Sequence, residues 1–425
     1  MKSSAALAPA LAEASRIVAR VAGGKSLAEQ LERFRDGDNG APRAAVIDIT
    51  HGTLRRYGRV QAIVRLLSRR GLAETCVEAL LWSALYALES GRYAEYTVVD
   101  QAVRACALLE RWTAKGYVNA MLRAFLRERG SLEARIKADP EARLQHPRWW
   151  IDSLRRDFPD RYEEILAAGN SHPPMCLRVN RRRTHVDAYR ARLASTGVAA
   201  RPIGEDGLLL ETPVPVERLP GFAAGEVSVQ DSGAQRAARC LELEAGQRVL
   251  DACAAPGGKS AHMLESADVF LTALDADPHR SGRISRNLER LGLAAKVLSA
   301  DCTRPAEWWD GTSFQRILAD VPCSASGVVR RHPDLKWLRR PQDIASFARR
   351  QAAILDSLWQ VLAPDGKLLY VTCSVFPGEN AEVVSAFVAR TPGARRMSEP
   401  DGAGAQWLPG PEHDGFFYAL IAKQA

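Results

Sequence analysis

Apolar residues recur at steps of three and four along roughly the first 140 residues, the spacing of amphipathic helices. One such stripe comprises Val77, Leu80, Leu81, Ala84, Leu85 and Leu88. A further helix with an arginine-rich outer face is predicted over residues 115–127. Because Ala, Leu, Arg and Glu dominate throughout, the pattern predicts an all-α domain over residues 5–140.

The pattern changes after breaks at Ala138-Asp139-Pro140 and His146-Pro147. Two short strands are predicted at residues 175–180 and 207–211, with a helix between them at residues 187–195. An arginine run, Arg181-Arg182-Arg183, follows the first strand, and prolines mark the loop that ends the segment. The sequence therefore predicts a small α/β linker domain with a basic edge over residues 146–227.

From about residue 228, short apolar runs alternate with helical segments. The strand candidates are Arg248 to Asp251, Val269 to Asp275, Ala295 to Ala300, Gln315 to Asp320, Lys367 to Thr372 and Phe416 to Ile421. Such alternation is typical of a mostly parallel, doubly wound sheet. We therefore predict a multidomain chain that ends in an α/β Rossmann-like domain over residues 228–425.

Composition limits the possible partners without naming one. A chain of 425 residues is long enough for two to four domains, each with its own core. The formal net charge is +8 and the sequence pI is about 9.2, which permits a polyanionic partner but does not demand one.

Cysteine spacing bears on the compartment and on metal binding. The eight cysteines form no C-x-x-C pair, so neither a zinc cage nor a disulfide framework is indicated. The eight histidines are dispersed, and no metal site is predicted. Neither a signal peptide nor a membrane span is evident, so we expect a cytoplasmic protein with reduced thiols.

A glycine-rich loop connects the first predicted strand of the C-terminal sheet to a helix. Its sequence is Asp251-Ala252-Cys253-Ala254-Ala255-Pro256-Gly257-Gly258-Lys259. Small residues and two glycines let a backbone approach a ligand closely. The loop lacks the G-x-G-x-x-G spacing, and Cys253 stands where a phosphate-binding P-loop requires its first glycine. The sequence therefore disfavours an NTP-hydrolysing P-loop.

Acidic residues end the next predicted strands. Asp275 ends the second strand, 24 residues after Asp251, while Asp301 ends the third and Asp320 the fourth. A carboxylate at the position of Asp275 can accept hydrogen bonds from ribose hydroxyls, and Asp301 could receive an adenine amino group. A single such aspartate is most often a helix cap, but three at consecutive strand ends favour a nucleotide site.

Two cysteines follow the last strands of this pattern. Cys323 lies in Asp320-Val321-Pro322-Cys323-Ser324, and Cys373 lies in Thr372-Cys373-Ser374. Ligands of open α/β sheets bind at the carboxyl ends of the strands, and neighbouring strands lie about 5 Å apart. If the two strands are neighbours, both thiols face one crevice. A lone buried cysteine is more often an inert small hydrophobe, but a pair beside an aspartate favours catalysis.

This set of groups suits methylation of a pyrimidine at C5. A thiolate that adds to C6 builds electron density on C5, which then attacks an electrophilic methyl group, after which loss of the C5 proton expels the sulfur. Cys373 and Asp320 fit the nucleophile and the carboxyl group near ring N3, and Cys323 could assist release as acid or base. Arg330-Arg331-His332 could raise the local positive potential or bind phosphate, and the sequence leaves both roles open.

These motifs resemble the Sun-type RNA cytosine-5 methyltransferases, and most closely the bacterial RsmB (Sun/Fmu) 16S ribosomal RNA methyltransferase family. The resemblance is carried by residues 251–259, 320–324 and 372–374, together with Arg330-Arg331-His332-Pro333-Asp334, Lys336-Trp337 and Glu379-Asn380. Residues 5–140 resemble the family's NusB-like RNA-binding domain, and residues 228–425 its methyltransferase domain. One departure is Val321, where the family usually has alanine.

The resemblance implies a cofactor and residue roles. The cofactor would be S-adenosyl-L-methionine, bound by Cys253, Ala254, Ala255, Pro256, Gly257, Gly258, Lys259, Asp275, Asp301 and Asp320. Cys373 would be the nucleophile, Cys323 would aid product release, and Asp320 would lie near the target base. The implied substrate is 16S ribosomal RNA, free or partly assembled, with cytosine 967 of the conventional rRNA numbering as the target, and we expect a monomer.

Three other functions remain open on the sequence. The chain could methylate another RNA at cytosine C5, it could be a DNA cytosine-5 methylase in which the Pro-Cys cysteine attacks, or it could be a non-catalytic NusB-like RNA-binding factor. A DNA methylase of that kind would leave Cys373 unused, and a pure binder needs neither cysteine. Candidate contacts to RNA phosphates are Arg127, Arg129, Arg178, Arg181, Arg182 and Arg183.

Overall fold

The computed structural model describes residues 7–36, 41–68, 74–398 and 404–424. Tertiary contacts divide the chain into two compact units. Unit 1 comprises residues 1–171 together with residues 329–339, and unit 2 comprises residues 172–328 together with residues 340–425. The chain therefore leaves unit 2 after Val328 and returns to it at Arg340.

The N-terminal part of unit 1 is helical, as its sequence predicts. Its helices are α1 (Leu7–Ala22), α2 (Leu27–Asp36), α3 (Arg43–Arg55), α4 (Tyr57–Leu67), α5 (Thr75–Glu89), α6 (Glu95–Leu108), α7 (Lys115–Ala138), α8 (Pro140–Leu144), α9 (Arg148–Asp157) and α10 (Tyr162–Asn170). The predicted break after Ala138 is the junction of α7 and α8, where the Asp139 side chain accepts from the first N–H groups of α8.

Helices α1 and α5 form the centre of unit 1. Helix α1 packs against α3, α5 and α6, and small residues at its core let these helices approach closely. Gly52 of α3 is one contact point, because a Cβ there would lie 1.9 Å from the Tyr86 ring of α5. The predicted apolar stripe of α5 is buried, but so are the residues between its members, from Ala79 to Leu88.

Helix α5 is apolar on all sides but only 15 residues long, whereas a membrane span needs about 20. Within the described ranges, no helix combines the length and the apolarity needed to cross a lipid bilayer.

Unit 2 carries the strands and the remaining helices. In chain order the elements are β1 (Cys176–Val179), α11 (Val186–Ser195), β2 (Ala200–Ile203), β3 (Gly207–Leu210), β4 (Val227–Val229), α12 (Ser232–Cys240), β5 (Arg248–Asp251), α13 (Gly258–Ser266), β6 (Phe270–Asp275), α14 (Pro278–Leu291), β7 (Lys296–Ser299), β8 (Phe314–Asp320), α15 (Leu335–Leu338, in unit 1), α16 (Pro341–Val361), β9 (Leu362–Thr372), α17 (Ala381–Arg390), β10 (Ala394–Arg396), β11 (Gln406–Trp407) and β12 (Phe416–Lys423).

The first sheet of unit 2 is antiparallel, in the order β2-β3-β1-β4. Apolar residues of β1, β3 and α11 form its core, including Leu177, Tyr189, Leu193 and Leu208. The predicted strands β1 and β3 and the helix α11 are present, so the small α/β piece is confirmed in kind. Strands β2 and β4 were not predicted, because β2 is half-exposed and contains Pro202, and β4 is only three residues long.

The second sheet has the order β10-β12-β9-β8-β5-β6-β7, with β11 paired to β12. Strands β7, β6, β5, β8 and β9 are parallel, and β12 is antiparallel to β9. One face packs on α12, α13 and α14 and the other on α16 and α17, so the central strands are buried on both sides. This burial explains their continuous apolar runs. The doubly wound α/β fold class is therefore confirmed.

Residues 329–339 form a strap that belongs to unit 1. The Asp334 carboxylate accepts from the N–H of Leu27, the first residue of α2, at 3.0 Å. The buried Lys336 side chain donates from Nζ to the carbonyl of Arg55 at 3.0 Å and to Asn170 Oδ1 at 2.7 Å. Unit 1 is therefore completed by a segment that is distant from it in the sequence.

Candidate active site

Two sulfur atoms meet at the carboxyl ends of β8 and β9. The strands pair in parallel with Asp320 opposite Val371, so the residues that follow them begin side by side. Cys323 Sγ and Cys373 Sγ lie 3.4 Å apart. Cys323 is buried and Cys373 is half-buried. The prediction that the two strands are neighbours and that both thiols face one crevice is confirmed.

A lysine and an aspartate lie beside the sulfurs. Lys259, in the first turn of α13, donates from Nζ to Asp320 Oδ2 at 2.6 Å. Burial acts to lower the pKa of Lys259, but the charge of Asp320, their hydrogen bond and the charge of Cys373 together hold it above its usual value. Lys259 therefore carries a positive charge that is paired with the carboxylate of Asp320.

A cavity of about 220 Å³ opens at this edge of the sheet. It brings together the following residues singled out from the sequence: Cys253, Ala255, Asp275, Asp301, Asp320, Cys323 and Cys373. Residues without a predicted role also line it, among them Arg280, Cys302 and Arg350. The strand-end aspartates and both cysteines thus share one cavity.

The other residues of the glycine-rich loop shape its backbone. The N–H of Ala254 donates to the carbonyl of Leu274 at 2.9 Å, and the Ala255-Pro256 peptide bond is cis. Gly257 has φ +94°, and a Cβ there would lie 3.1 Å from the Ile284 side chain. The carbonyl of Gly258 accepts from Arg178 at 2.8 Å. The loop is thus fixed to β6, α14 and the first sheet.

Asp275 and Asp301 are held in place by local donors. Asp275 accepts from the N–H groups of Ala255 at 3.2 Å and Asp277 at 3.1 Å. Asp301 accepts from the N–H of Thr303 at 2.9 Å, and this bond lowers the pKa of Asp301. Both carboxylates therefore have a fixed orientation at the cavity wall.

Asp251 precedes the glycine-rich loop and is buried. Burial raises the pKa of Asp251 to about 7, although the Ser260 hydroxyl donates to it at 2.6 Å and opposes this change. It ends β5 and supports the first turn of α13, where Lys259 is located.

The four thiols of the cavity differ in their surroundings. The hydrogen bond with Cys373, burial and the charge of Glu379 raise the pKa of Cys323 well above its usual value. The hydrogen bond between Cys253 and Cys302 raises the pKa of Cys253 and lowers that of Cys302. Cys323 is therefore held as a neutral thiol.

Sequence reasoning gave no role to the hydroxyl groups behind the cysteines. Ser324 and Ser374 follow the two cysteines, and both donate to the buried carboxylate of Glu379. The sequence signal was present, since the dipeptide Cys-Ser occurs in both loops.

The arginines predicted to contact phosphates are largely engaged within unit 2. Arg178 was wrongly predicted as such a contact, because it is 1% exposed and pairs with Glu265 at 2.8 Å. Arg181 pairs with Asp206, Arg182 with Asp268, and Arg183 donates to the carbonyl of Leu291. Arg178, Arg182 and Arg183 therefore join the first sheet to the helices of the second, whereas Arg181 pairs with the turn between β2 and β3.

Two further findings limit the chemistry. Arg330 is buried in unit 1, where its carbonyl accepts from Arg55 at 2.9 Å, so its side chain is not an exposed phosphate contact. Among the described residues, His, Cys, Asp and Glu side chains form no group of three or more that could hold a metal ion.

Three family models match successive parts of the chain. Residues 11–127 match the NusB family, residues 146–217 match the ferredoxin-like domain of RsmF/B-like methyltransferases, and residues 238–422 match the 16S rRNA methyltransferase RsmB/F family. The three matches follow the same order as the predicted helical, linker and catalytic segments.

Curated relatives match the chain over nearly its whole length. A protein of Pseudomonas putida named ribosomal RNA small subunit methyltransferase B is 43% identical, over 97% of this chain and 98% of its own. A protein of the same name from Vibrio cholerae is 42% identical, over 94% of each chain.

Solved structures share the fold. The crystal structure of PH0851 covers 97% of this chain and 98% of its own with a TM-score of 0.80, at 21% identity, which bears on the fold alone. The structure of a methyltransferase homologue from Pyrococcus horikoshii covers 67% of this chain and 97% of its own, with a TM-score of 0.58 and 26% identity.

Proposed function

The chain belongs to the RsmB/F family of 16S rRNA methyltransferases, and we propose that it methylates C5 of a cytosine in 16S rRNA through a covalent bond between Cys373 and C6. One observation carries the proposal: Cys323 Sγ and Cys373 Sγ lie 3.4 Å apart, in a cavity that Asp320 also lines. Covalent activation of a pyrimidine requires a thiol beside a carboxyl group, and a second thiol can assist the release of the product.

The residues at the cavity fit S-adenosyl-L-methionine. Asp275 would accept from the ribose hydroxyls, Asp301 would receive the adenine amino group, and the loop from Cys253 to Lys259 would hold the methionine part. The carboxylate of Asp275 is 4% exposed and is oriented by two backbone N–H groups, as a hydroxyl acceptor should be. When bound, this cofactor supplies the electrophilic methyl group for C5.

Three side chains of the cavity have different proposed roles in the reaction of the base. The thiolate is the nucleophilic form of cysteine, and Cys373 Sγ forms the bond to C6, while Lys259 orients Asp320 through their hydrogen bond. Asp320 would lie near N3, and a proton passed from its carboxyl group to N3 would offset the negative charge that builds on the ring. After C5 has lost its proton, the bond between Cys373 and C6 breaks. Cys323, held as a thiol 3.4 Å from the departing sulfur, acts as acid or base in this release.

The relatives' name supports 16S rRNA as the substrate, and the family resemblance points to cytosine 967 in free or partly assembled small-subunit RNA. A target base must leave its stack to reach the cavity, and an RNA loop permits this at low cost. The protein would act in the cytoplasm, as a monomer.

Methyl transfer from labelled S-adenosylmethionine to 16S rRNA tests the mechanism. We expect Cys373→Ala to abolish transfer, because no sulfur adds to C6, and Cys323→Ala to accumulate a protein–RNA adduct that survives denaturing electrophoresis. Cys76→Ala, in unit 1, is the matched control and should match the wild type. Turnover retained by Cys373→Ala would overturn the assignment.

Two measurements separate the alternatives. Bisulfite sequencing of RNA from cells that lack the protein identifies the target, and loss of methylation in another RNA would replace 16S rRNA in the proposal. Calorimetry should detect S-adenosylmethionine binding of about 8 kcal/mol, a micromolar affinity. A non-catalytic RNA-binding factor would give no heat.

A further inference from the structure

A buried carboxylate lies behind the two cysteine loops. Glu379 is 0% exposed, ends a short 3-10 turn after β9, and is not among the residues that line the cavity. Its Oε1 accepts from the N–H of Ser324 at 2.7 Å, and its Oε2 accepts from the hydroxyl of Ser324 at 2.5 Å and from that of Ser374 at 2.7 Å. One carboxylate thus contacts the residue next to each cysteine.

The hydroxyl groups also contact one another. Ser324 Oγ and Ser374 Oγ lie 3.2 Å apart, and Ser326 Oγ lies 3.0 Å from Ser374 Oγ. Ser326 also accepts from the N–H of Val375 at 2.9 Å, which joins the loop after β8 to the loop after β9. The three serines and the carboxylate form one buried network across both loops.

A glutamine extends the network to the Pro-Cys loop. Gln351 of α16 donates from Nε2 to the carbonyl of Pro322 at 3.0 Å and to Glu379 Oε1 at 3.3 Å. The peptide unit before Cys323 and the one after it are therefore both fixed, directly or through Gln351, to the same carboxylate.

Burying the carboxylate of Glu379 has a desolvation cost that an apolar side chain at the same position would avoid. Burial raises the pKa of Glu379, and the bonds from Ser324 and Ser374 oppose that change. Removing a carboxylate from water costs several kcal/mol unless hydrogen bonds replace its hydration, whereas an apolar side chain would fill the space without this cost. What the carboxylate adds is directional bonding to both loops at once.

We propose that Glu379 is a positioning residue, which through Ser324 and Ser374 holds the Cys323 and Cys373 loops in one register, so that both sulfurs face the same base. The inference rests on the proposed covalent function and deepens it.

How closely Cys323 Sγ and Cys373 Sγ are held together can be measured without RNA. Diamide takes two electrons and two protons from a pair of neighbouring thiols and leaves a disulfide, at a rate that depends on how often the sulfurs meet. We expect the Cys323–Cys373 disulfide to form at least about tenfold more slowly in Glu379→Ala than in the wild type. Glu379→Gln should stay within about threefold of the wild type, because the amide oxygen still accepts from Ser324 and the hydroxyls can rotate to accept from the amide.

The catalytic consequence is measured with RNA that carries 5-fluorocytidine, on which the reaction stops at the covalent adduct because C5 has no proton to lose. We expect Glu379→Ala to form this adduct about 10- to 100-fold more slowly, since small displacements of a reacting group have effects of this size. Its affinity for S-adenosylmethionine should be unchanged. Glu382→Gln, at an exposed position of α17, is the matched control and should behave as the wild type.

The outcomes are distinguishable. If the wild type forms no adduct with 5-fluorocytidine RNA, the proposed function fails, whatever the variants do. If the wild type forms it and Glu379→Ala keeps the wild-type rates of both adduct and disulfide formation, the positioning role is wrong. Equal losses in Glu379→Gln and Glu379→Ala would also overturn it, because the charge and not the geometry would then matter.

If Glu379→Ala does not fold, Ser324→Ala and Ser374→Ala each remove one contact and should slow both reactions severalfold. Wild-type rates in both serine variants would refute the positioning role.

Discussion

Cys323 and Cys373 carry the same functional group, and their neighbours make them chemically different. Cys323 is buried next to the charge of Glu379, whereas Cys373 is half-buried near the ammonium of Lys259. A negative neighbour disfavours a thiolate, so Cys323 is held as a thiol. This state fits the release role that we propose for Cys323.

Replacing Lys259 tests the contribution of its charge. Lys259→Met removes the positive charge and the hydrogen bond to Asp320, so we expect adduct formation to fall by about 100-fold. The rate of adduct formation with 5-fluorocytidine RNA is the measurement. Lys296→Met, an exposed lysine at the start of β7, should keep the wild-type rate. A Lys259→Met rate identical to that of the wild type would contradict the role of its charge.

For single residues, the sequence predicts the position of a side chain when that position follows from the order of the strands. It does not predict a contact when the partner is distant in the sequence. Asp275, Asp320 and the two cysteines follow apolar runs, and the rule for parallel sheets brings their ends together. Arg178 stands in an arginine-rich stretch, and its buried partner Glu265 is 87 residues away, so composition suggested an exposed contact instead.

Among the elements, the strap at residues 329–339 is the least expected. Its motif was identified by resemblance, but no local pattern indicates that Asp334 would serve the N-terminus of α2, 307 residues away. Strands β8 and β9 were predictable because burial on both faces makes them continuously apolar. Strands β2 and β4 were not, since neither is long or alternating enough to differ from a loop.

The tryptophan of the strap tests its contribution to unit 1. Trp337 donates from Nε1 to the carbonyl of Leu54 at 3.0 Å, and its ring packs edge-on against Tyr57. We expect Trp337→Ala to lower the free energy of unfolding by about 2–4 kcal/mol, as a partly buried large side chain does. Trp337→Phe keeps an aromatic ring against Tyr57 but removes the Nε1 donor, so it should lower the free energy of unfolding by only about 1 kcal/mol. Urea denaturation measures both, and Trp112→Ala, at a 62% exposed site, is a control that should change little. A Trp337→Ala variant as stable as the control would contradict this contribution.

The turn between α8 and α9 carries a pH-dependent contribution to stability. His146 is buried, and desolvation lowers its pKa well below the usual value. Its contribution is therefore complete above pH of about 6.5, where the unfolded chain is also neutral, and is lost as the pH falls toward the folded pKa.

His146→Asn should reduce this acid sensitivity. The variant cannot take up a proton, and an amide N–H can still donate to the carbonyl of Leu144 as the ring does. Below pH 6.5 we expect its free energy of unfolding to fall less steeply with decreasing pH than that of the wild type, by up to about 1.4 kcal/mol per pH unit. Urea unfolding between pH 5 and 8 measures the slopes. His172→Asn, an exposed site, should keep the wild-type slope. Equal slopes in His146→Asn and the wild type would exclude a contribution of this ring.

For the whole molecule, net charge is a poor guide to where RNA binds. The chain carries +8, yet many arginines of the basic edge pair with acidic residues of unit 2. Fold class and domain order followed from the change in apolar periodicity along the chain. The location of an RNA-binding surface cannot be predicted in the same way, because an arginine run can bind phosphate or a neighbouring carboxylate.

Salt-dependent RNA binding distinguishes an exposed arginine that contacts phosphate from a buried arginine that pairs within the protein. If Arg127, 68% exposed in its side chain, contacts phosphate, Arg127→Ala should reduce the slope of log K against log salt by about 0.7 and leave stability unchanged. Arg178→Ala should instead destabilise the fold by about 3–5 kcal/mol, because Glu265 would be left buried and unpaired. An Arg127→Ala slope equal to that of the wild type would remove this residue from the RNA surface.

The strap also has a consequence during synthesis. The nascent chain emerges from the ribosome with the first helices of unit 1 long before Asp334, Lys336 and Trp337 are made. Residues 172–328 are translated in between, which takes about 10–30 s at bacterial elongation rates. During that interval the N-terminal helices lack the partners that close them. Their final packing therefore waits until residues 329–339 have been synthesised, and a chain truncated before this strap would not acquire it.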